Sequence, residues 1–225
     1  MEPPLKVLER RRNRMLKVSI SKLEQARINP NAFAASLSIK SNGFGNNGSF
    51  SGIFKSFIGK FHNADNNKDD LLHKLNDAYK LQFVENSTNN VRTQKYCEAF
   101  SSYTDYMLEH GFGLDNIFTR INLKLLTDVA LGGNSPILSS SDNRNMVFSI
   151  EESSKDWRNE LKYPILQNYL AGNYYQCEEN QIEIGVFNIN SGQFELKTYD
   201  DIEIANAFEE AKIVLGNVKY ILDQS

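Results

Sequence analysis

The sequence predicts a mixed α/β fold of the α+β kind: a helical N-terminal half, then a small mixed β-sheet flanked by helices. Three observations carry this. Residues 146–189 read as strand, helix, strand, with Trp157, Leu161, Ile165 and Tyr169 recurring every four residues between two apolar runs. The β-branched run Ile182–Ile189, the turn Asn190-Ser191-Gly192 and the run Gln193–Tyr199 have the pattern of a β-hairpin. Residues 52–110 carry successive apolar faces at helical spacing.

At the start, residues 1–17 hold Arg10, Arg11, Arg12, Arg14 and Lys17. This composition suits either a phosphate-contacting arm or a solvated helix that packs Leu5, Leu8, Met15 and Leu16. Residues 18–37 begin with Ser19 or Ser21 as a cap, place Leu23 and Ala26 on a helix, break at Asn29-Pro30 and resume with Phe33, Ala34 and Leu37. Lys22 and Arg27 extend the basic set. Residues 41–52 are rich in Gly, Asn and Ser and include Gly43, Gly45 and Gly48, a formal G-x-G-x-x-G. A dinucleotide fingerprint needs a strand before it, a helix after it and an acid about 20 residues on. The chain reaches the polar stretch 62–70 instead, so residues 41–52 read as a flexible loop.

Next, Ile53, Phe54, Phe57, Ile58 and Phe61 form one helical face, and Leu71, Leu72, Leu75, Ala78 and Tyr79 form another after a polar break at 63–68. A third helix, 93–110, turns Tyr96, Cys97, Phe100, Tyr103, Met107 and Leu108 inward and stops at His110-Gly111. His62 and His110 read as cations at helix C-termini. Ile121, Leu123 and Leu125 alternate with polar residues, which is a half-buried strand. Gly132-Gly133-Asn134 turns the chain, and Ser135–Ser139 and Met146–Ile150 supply the second and third strands. On the central helix, Ser153 or Ser154 caps the start, Pro164 imposes a kink or two short helices, and Gly172-Asn173 is a stop. A last helix runs from Asp201, with Asp200 or Asp201 as cap. Its stripe is Ile202, Ala205, Phe208, Ala211, Leu215, Val218 and Leu222. The chain thus divides into a helical region, 1–115, and a mixed-sheet core, 116–225.

The 225 residues are enough for a sizeable core. A net charge of −3 gives no global argument for a polyanionic partner. The two cysteines, Cys97 and Cys177, fit no metal spacing and read as reduced thiols. The first residues have no apolar signal core and no run reaches membrane-spanning length, so the expected location is the cytoplasm, with no membrane partner. The abundance of asparagine suits an AT-rich bacterial or phage genome. No G-x-S-x-G, HExxH, P-loop lysine or paired-cysteine zinc motif is present.

The order helix, three meandering strands, helix, strand resembles the αβββαβ restriction-endonuclease-like core of the PD-(D/E)XK nuclease superfamily. Ile20-Ser21-Lys22-Leu23-Glu24, with Asn29-Pro30 and Phe33 behind it, is similar to the first helix and proline turn of its RecB-like branch. Pro164-Ile165-Leu166-Gln167-Asn168-Tyr169 resembles that branch's glutamine–tyrosine helix, and Leu72-His73-Lys74-Leu75 resembles the helix that gives a histidine to the metal. The resemblance implies Mg²⁺ or Mn²⁺ held by hard carboxylates beside a lysine. The sequence departs from it there. No acid stands at Ile137-Leu138. In Phe148-Ser149-Ile150-Glu151-Glu152, Ser149 stands where the acid belongs and Glu151 where the lysine belongs. The out-of-register set is Asp142, Glu152 and Lys155. Glu160-Leu161-Lys162 is a literal E-x-K on the helix, with side chains pointing to different faces.

The resemblance therefore implies a catalytically degenerate subunit. It would bind nucleic acid, or hold partner proteins, in a bacterial DNA-processing or anti-phage defence complex, with no cofactor. Arg10, Arg11, Arg12, Arg14, Lys17, Lys22 and Arg27 would contact phosphate. One alternative is an active Mg²⁺-dependent endonuclease with shifted ligands, drawn from Asp142, Glu151, Glu152, Lys155 and Gln167, with His73 as a metal ligand. The other is a protein–protein adaptor with no nucleic-acid role.

Overall fold

Among the described residues, eight strands and seven α-helices form a mixed α/β arrangement, with five helices in succession after the first strand and five strands after them. The structure is a computed structural model and describes residues 15–38, 49–63, 67–152 and 156–224. The N-terminal part holds β1 (Leu16–Ser19), α1 (Leu23–Ile28), α2 (Pro30–Ser38), α3 (Phe50–Asn63), α4 (Lys68–Gln82) and α5 (Ser87–Glu109). Then come β2 (Gly113–Asn116), β3 (Arg120–Leu126), β4 (Val129–Asn134), β5 (Ile137–Ser141) and β6 (Arg144–Glu151). The chain closes with α6 (Lys162–Leu170), β7 (Ile182–Asn188), β8 (Gln193–Lys197) and α7 (Asp201–Gln224).

The main sheet has the order β2-β5-β6-β7-β8. Only β6 and β7 run parallel, joined through α6; the other neighbours are antiparallel. A second sheet has the order β1-β4-β3, with β1 parallel and β3 antiparallel to β4. The expected meander is corrected here. The strand around Leu123 leaves the main sheet to pair with β4, and β2 takes the place expected for it. Gly132-Gly133-Asn134, read as a turn, continues β4 opposite Asn122, Ile121 and Arg120. Gly133 has φ +119°, and a Cβ there would meet Ser19 Oγ at 3.1 Å, so glycine lets β1 come close.

The inner strands β5, β6 and β7 bury both faces, which explains their near-continuous apolar runs. Along β6, Met146, Phe148 and Ile150 point into a core under α3, α4 and α5. Val147 points into the other core, with Ile165 and Leu166 of α6 and Val214 and Val218 of α7. Strand alternation puts Ser149 and Glu151 on this second face. Both cores draw on residues from either side of the expected 115/116 division.

Local chemistry sets the element ends. α5 starts well before residue 93, because Asn86 Oδ1 accepts from the Asn89 amide at 2.8 Å; its first two turns are solvated and carry no apolar period. α3 begins at Phe50, inside the stretch expected as loop; residues 41–48 lie outside the described residues. The central helix is split into a single turn, Trp157–Asn159, and α6. Pro164 sits in the first turn of α6, where its missing N–H has no intrahelical partner to lose. Gly172-Asn173 does not stop the chain; a wide helical turn runs over Ala171–Tyr175 and ends at Gln176 in a left-handed conformation, φ 53°. In α7, Asp200 Oδ1 accepts from Glu203 N and Glu203 Oε2 from Asp200 N, a reciprocal cap. The early part of its stripe is shifted: Ile204 and Ala207 are buried and Ile202 is exposed.

Candidate functional site

A cleft of about 310 Å³ opens between α3, the β2–β3 loop, the start of β5, the middle of β6 and α6. Its position follows from local packing. Ile137 opens β5 opposite Phe148 of β6. Ser135 ties the approach to β5 onto the β2–β3 loop, its Oγ accepting from Thr119 N and donating to the Pro136 carbonyl, each at 2.8 Å. α3 comes so near this loop at Gly59 that a Cβ would meet Ile117 Cδ1 at 2.9 Å. Lys55 lies one turn earlier on the same face of α3 and so enters the cleft wall.

The wall carries two ammonium groups, Lys55 and Lys162, and polar groups from Ser21, Asn134 and Ser149. Lys55 is exposed and has no carboxylate within 4 Å among the described residues. Lys162 lies 2.7 Å from Glu160 and 4.7 Å over the Tyr163 ring. The E-x-K pair of the sequence thus does contact itself, because Glu160 precedes α6 instead of sitting on it. Next to Ser149 is the Tyr163 hydroxyl. It is fully buried, and among the described residues no group completes a hydrogen bond to it in good geometry, although the Ser149 side chain lies close enough to favour the charged form. Burial pushes this phenol well above its ordinary range, and the nearby carboxylates of Glu151 and Glu160 push the same way.

The remaining sequence-predicted residues are placed elsewhere. Asp142 is exposed in the β5–β6 turn, and Glu152 follows the far end of β6, on the order of 23 Å of strand away. Asp142 and Glu152 of the out-of-register set do not come together, and Lys155 lies outside the described residues. Glu152 accepts from Tyr96 Oη and Arg92 Nη2, each at 2.5 Å, which ties the end of β6 to α5. Burial opposes its ionisation, but these two donors outweigh it and hold the carboxyl below its usual range.

Gln167 is fully buried and spent on backbone. Its Nε2 donates to the carbonyls of Tyr199 (2.9 Å) and Glu179 (3.1 Å), and its Oε1 accepts from Tyr199 N (2.9 Å). Its amide is thereby satisfied and turned away from any ligand. His73 is exposed on α4 and lines a separate groove between α4 and α5, not the cleft. Arg27 joins α1 to α7 through Glu210 at 2.6 Å and also reaches the Asn159 carbonyl at 2.8 Å. Lys17 and Lys22 are exposed on β1 and on the turn before α1. Arg10, Arg11, Arg12 and Arg14 lie outside the described residues. His62 is not a free cation: burial beside Tyr103 holds its imidazole down to about 4, and Nε2 lies 3.0 Å from Tyr103 Oη. Tyr174 and Tyr175 pack at the sheet edge, with Tyr175 Oη donating to Asp115 at 3.1 Å.

Sequence reasoning missed Lys55 and Phe118. Lys55 had a signal, a single cation between apolar residues of the α3 face. Phe118 had none beyond an aromatic in a polar turn. Chemically, the cleft offers cations and hydroxyls to an anion. Among the described residues no three histidine, cysteine, aspartate or glutamate side chains converge on one point as a metal site requires. Also among the described residues, no helix is long and apolar enough to cross a membrane, and Cys97 and Cys177 are free. No protein-family description matches this chain, and no curated protein is similar enough to count as a match.

Proposed function

We propose that the chain is a nuclease-fold domain that binds nucleic acid through this cleft without cleaving it. It would act as a subunit of a bacterial DNA-processing or anti-phage defence complex. The observation that carries the reading is positional. Three antiparallel strands, β2, β5 and β6, are followed by α6 and the parallel strand β7, the strand sense that the nuclease core implies. The cleft lies at its second and third strands, where that core carries its acids. Here Ile137 and Ser149 stand there, and lysines face them. Mg²⁺ needs several hard oxygen ligands. Among the described residues no carboxylate lines the cleft; Glu151 and Glu160 act on the adjoining Tyr163, and Glu160 is taken by Lys162. The residues present do not fit that metal, and the phosphate-facing chemistry of lysine and hydroxyl remains.

Electrophoretic mobility and plasmid nicking, run on one preparation with Mg²⁺ and with Mn²⁺, test this. The expected result is salt-dependent binding without nicking. Lys55→Gln should lower the slope of log affinity against log salt by about one. Nicking that disappears in Glu151→Gln would establish the endonuclease alternative. Absence of any nucleic-acid binding would leave the adaptor.

A further inference from the structure

Phe118 stands apart from the other phenylalanines of the molecule. Among the described residues it is the one phenylalanine that is mainly exposed, at 56%, and it sits on the wall of the cleft that also holds Lys55 and Lys162. Its loop is fixed. Asn116 Oδ1 accepts from the Phe118 amide at 3.3 Å, and Ser135 holds the next residue, Thr119. An aromatic ring held in water loses the benefit of burial unless something covers it. The cleft is at the small end of the roughly 300–1,000 Å³ range of ligand pockets, so it has room for one base with its phosphate and none for a stacked pair. Base faces stack on aromatic rings whatever their sequence, and cations beside the ring track the backbone.

We infer that the cleft takes one unpaired nucleotide, its base against Phe118 and its phosphate between Lys55 and Lys162. The domain therefore grips single-stranded segments and rejects intact duplex from the cleft. This rests on the reading of the cleft as a nucleic-acid site. The Glu160 carboxylate, ion-paired to Lys162, weakens the grip and sets its strength.

The test is fluorescence anisotropy of the full chain with a short labelled oligothymidylate and with a blunt hairpin of equal charge. The oligothymidylate should bind more tightly. Phe118→Ala should weaken it on the order of 5- to 100-fold, and Phe118→Trp should restore it. Hairpin affinity should be the same in all three. Phe118 is mostly exposed, so a thermal melt of Phe118→Ala should match the parent. Equal affinity for both probes, with no effect of Phe118→Ala but a loss in Lys55→Gln, overturns this inference and leaves the phosphate-binding reading standing. Absence of binding to either probe overturns both.

Discussion

On one face of the main sheet, Phe54, Phe100 and Tyr103 close over Phe148 and Phe187, with Tyr103 centred 5.6 Å from Phe187 and 6.0 Å from Phe148. On the other, Val147, Ile184 and Val186 meet the aliphatic residues of α6 and α7, with Gln167, Ser149 and the Tyr163 hydroxyl set among them. The first face is mostly ring and hydrocarbon, and the hydroxyls of its buried Tyr79, Tyr96 and Tyr103 are each partnered. The second carries polar groups at some cost. Where such a group is fully bonded, as in Gln167, it locates backbone. Where it is not, as in Tyr163, it lies next to the cleft wall. The cleft itself draws on both faces, Ile137, Phe148 and Lys55 from the first and Ser149, Lys162 and Leu166 from the second, and the unpaired buried hydroxyl lies on the second.

The contrast can be broken from the aromatic side first. Phe100→Ala removes a fully buried ring and should cost about 3–5 kcal/mol in urea unfolding; a loss below about 1 kcal/mol would mean this face is not the stabilising one. Acid attacks the same face through His62. Its folded value near 4 lies below the ordinary 6.5, so the unfolded chain binds the extra proton. The stability from neutral His62 is complete above pH 6.5 and is lost as the pH falls toward 4, by at most about 3 kcal/mol. In His62→Gln the decline across that window should shrink, and an unchanged decline assigns it to other groups. On the polar face, Gln167→Leu leaves the Tyr199 amide without its partner and takes a donor from the carbonyls of Tyr199 and Glu179, the latter still accepting from Ile182 N, and guanidinium melts should show a loss of about 1–3 kcal/mol. Tyr163→Phe is the smallest change and sharpens the comparison most. Removing an unsatisfied hydroxyl should leave the melting temperature equal or higher. A clear drop would reveal that the hydroxyl is satisfied in solution.

How far the sequence alone reached depended on which signal each element carries. Helices with a sustained apolar face, such as the one bearing Phe54, Phe57 and Ile58, were legible from spacing, as was the hairpin of β7 and β8. The small sheet was not. β1 is four residues long, and its partner lies more than a hundred residues away, so no local period announces it. Gly132 and Gly133 look like a turn until a parallel strand is placed beside them. The cleft was legible only in part. Ser149 and Lys162 were visible as departures from the nuclease pattern. Lys55 and Phe118 become neighbours only when α3 and the β2–β3 loop meet at Gly59. Glu152 and Gln167 drew attention as polar residues near the expected site, and their partners, Tyr96, Arg92 and Tyr199, could not be read from spacing.

The pairing of β1 with β4, and of Arg27 with Glu210, has a consequence for the order in which the molecule is made. The segment Leu16–Ile28 leaves the ribosome early, but α7 begins only at Asp201. At roughly 5–20 residues per second, α1 waits on the order of 10–40 s for the helix it docks against. During that interval Leu23 and Ala26, both fully buried in the finished molecule, have no apolar neighbour from α7 to cover them. The segment Leu16–Ile28 is thus made long before the helix that covers it. A nascent chain stalled before Asp201 should expose these residues to a chaperone that binds apolar segments, whereas one in which the whole of α7 has emerged should not.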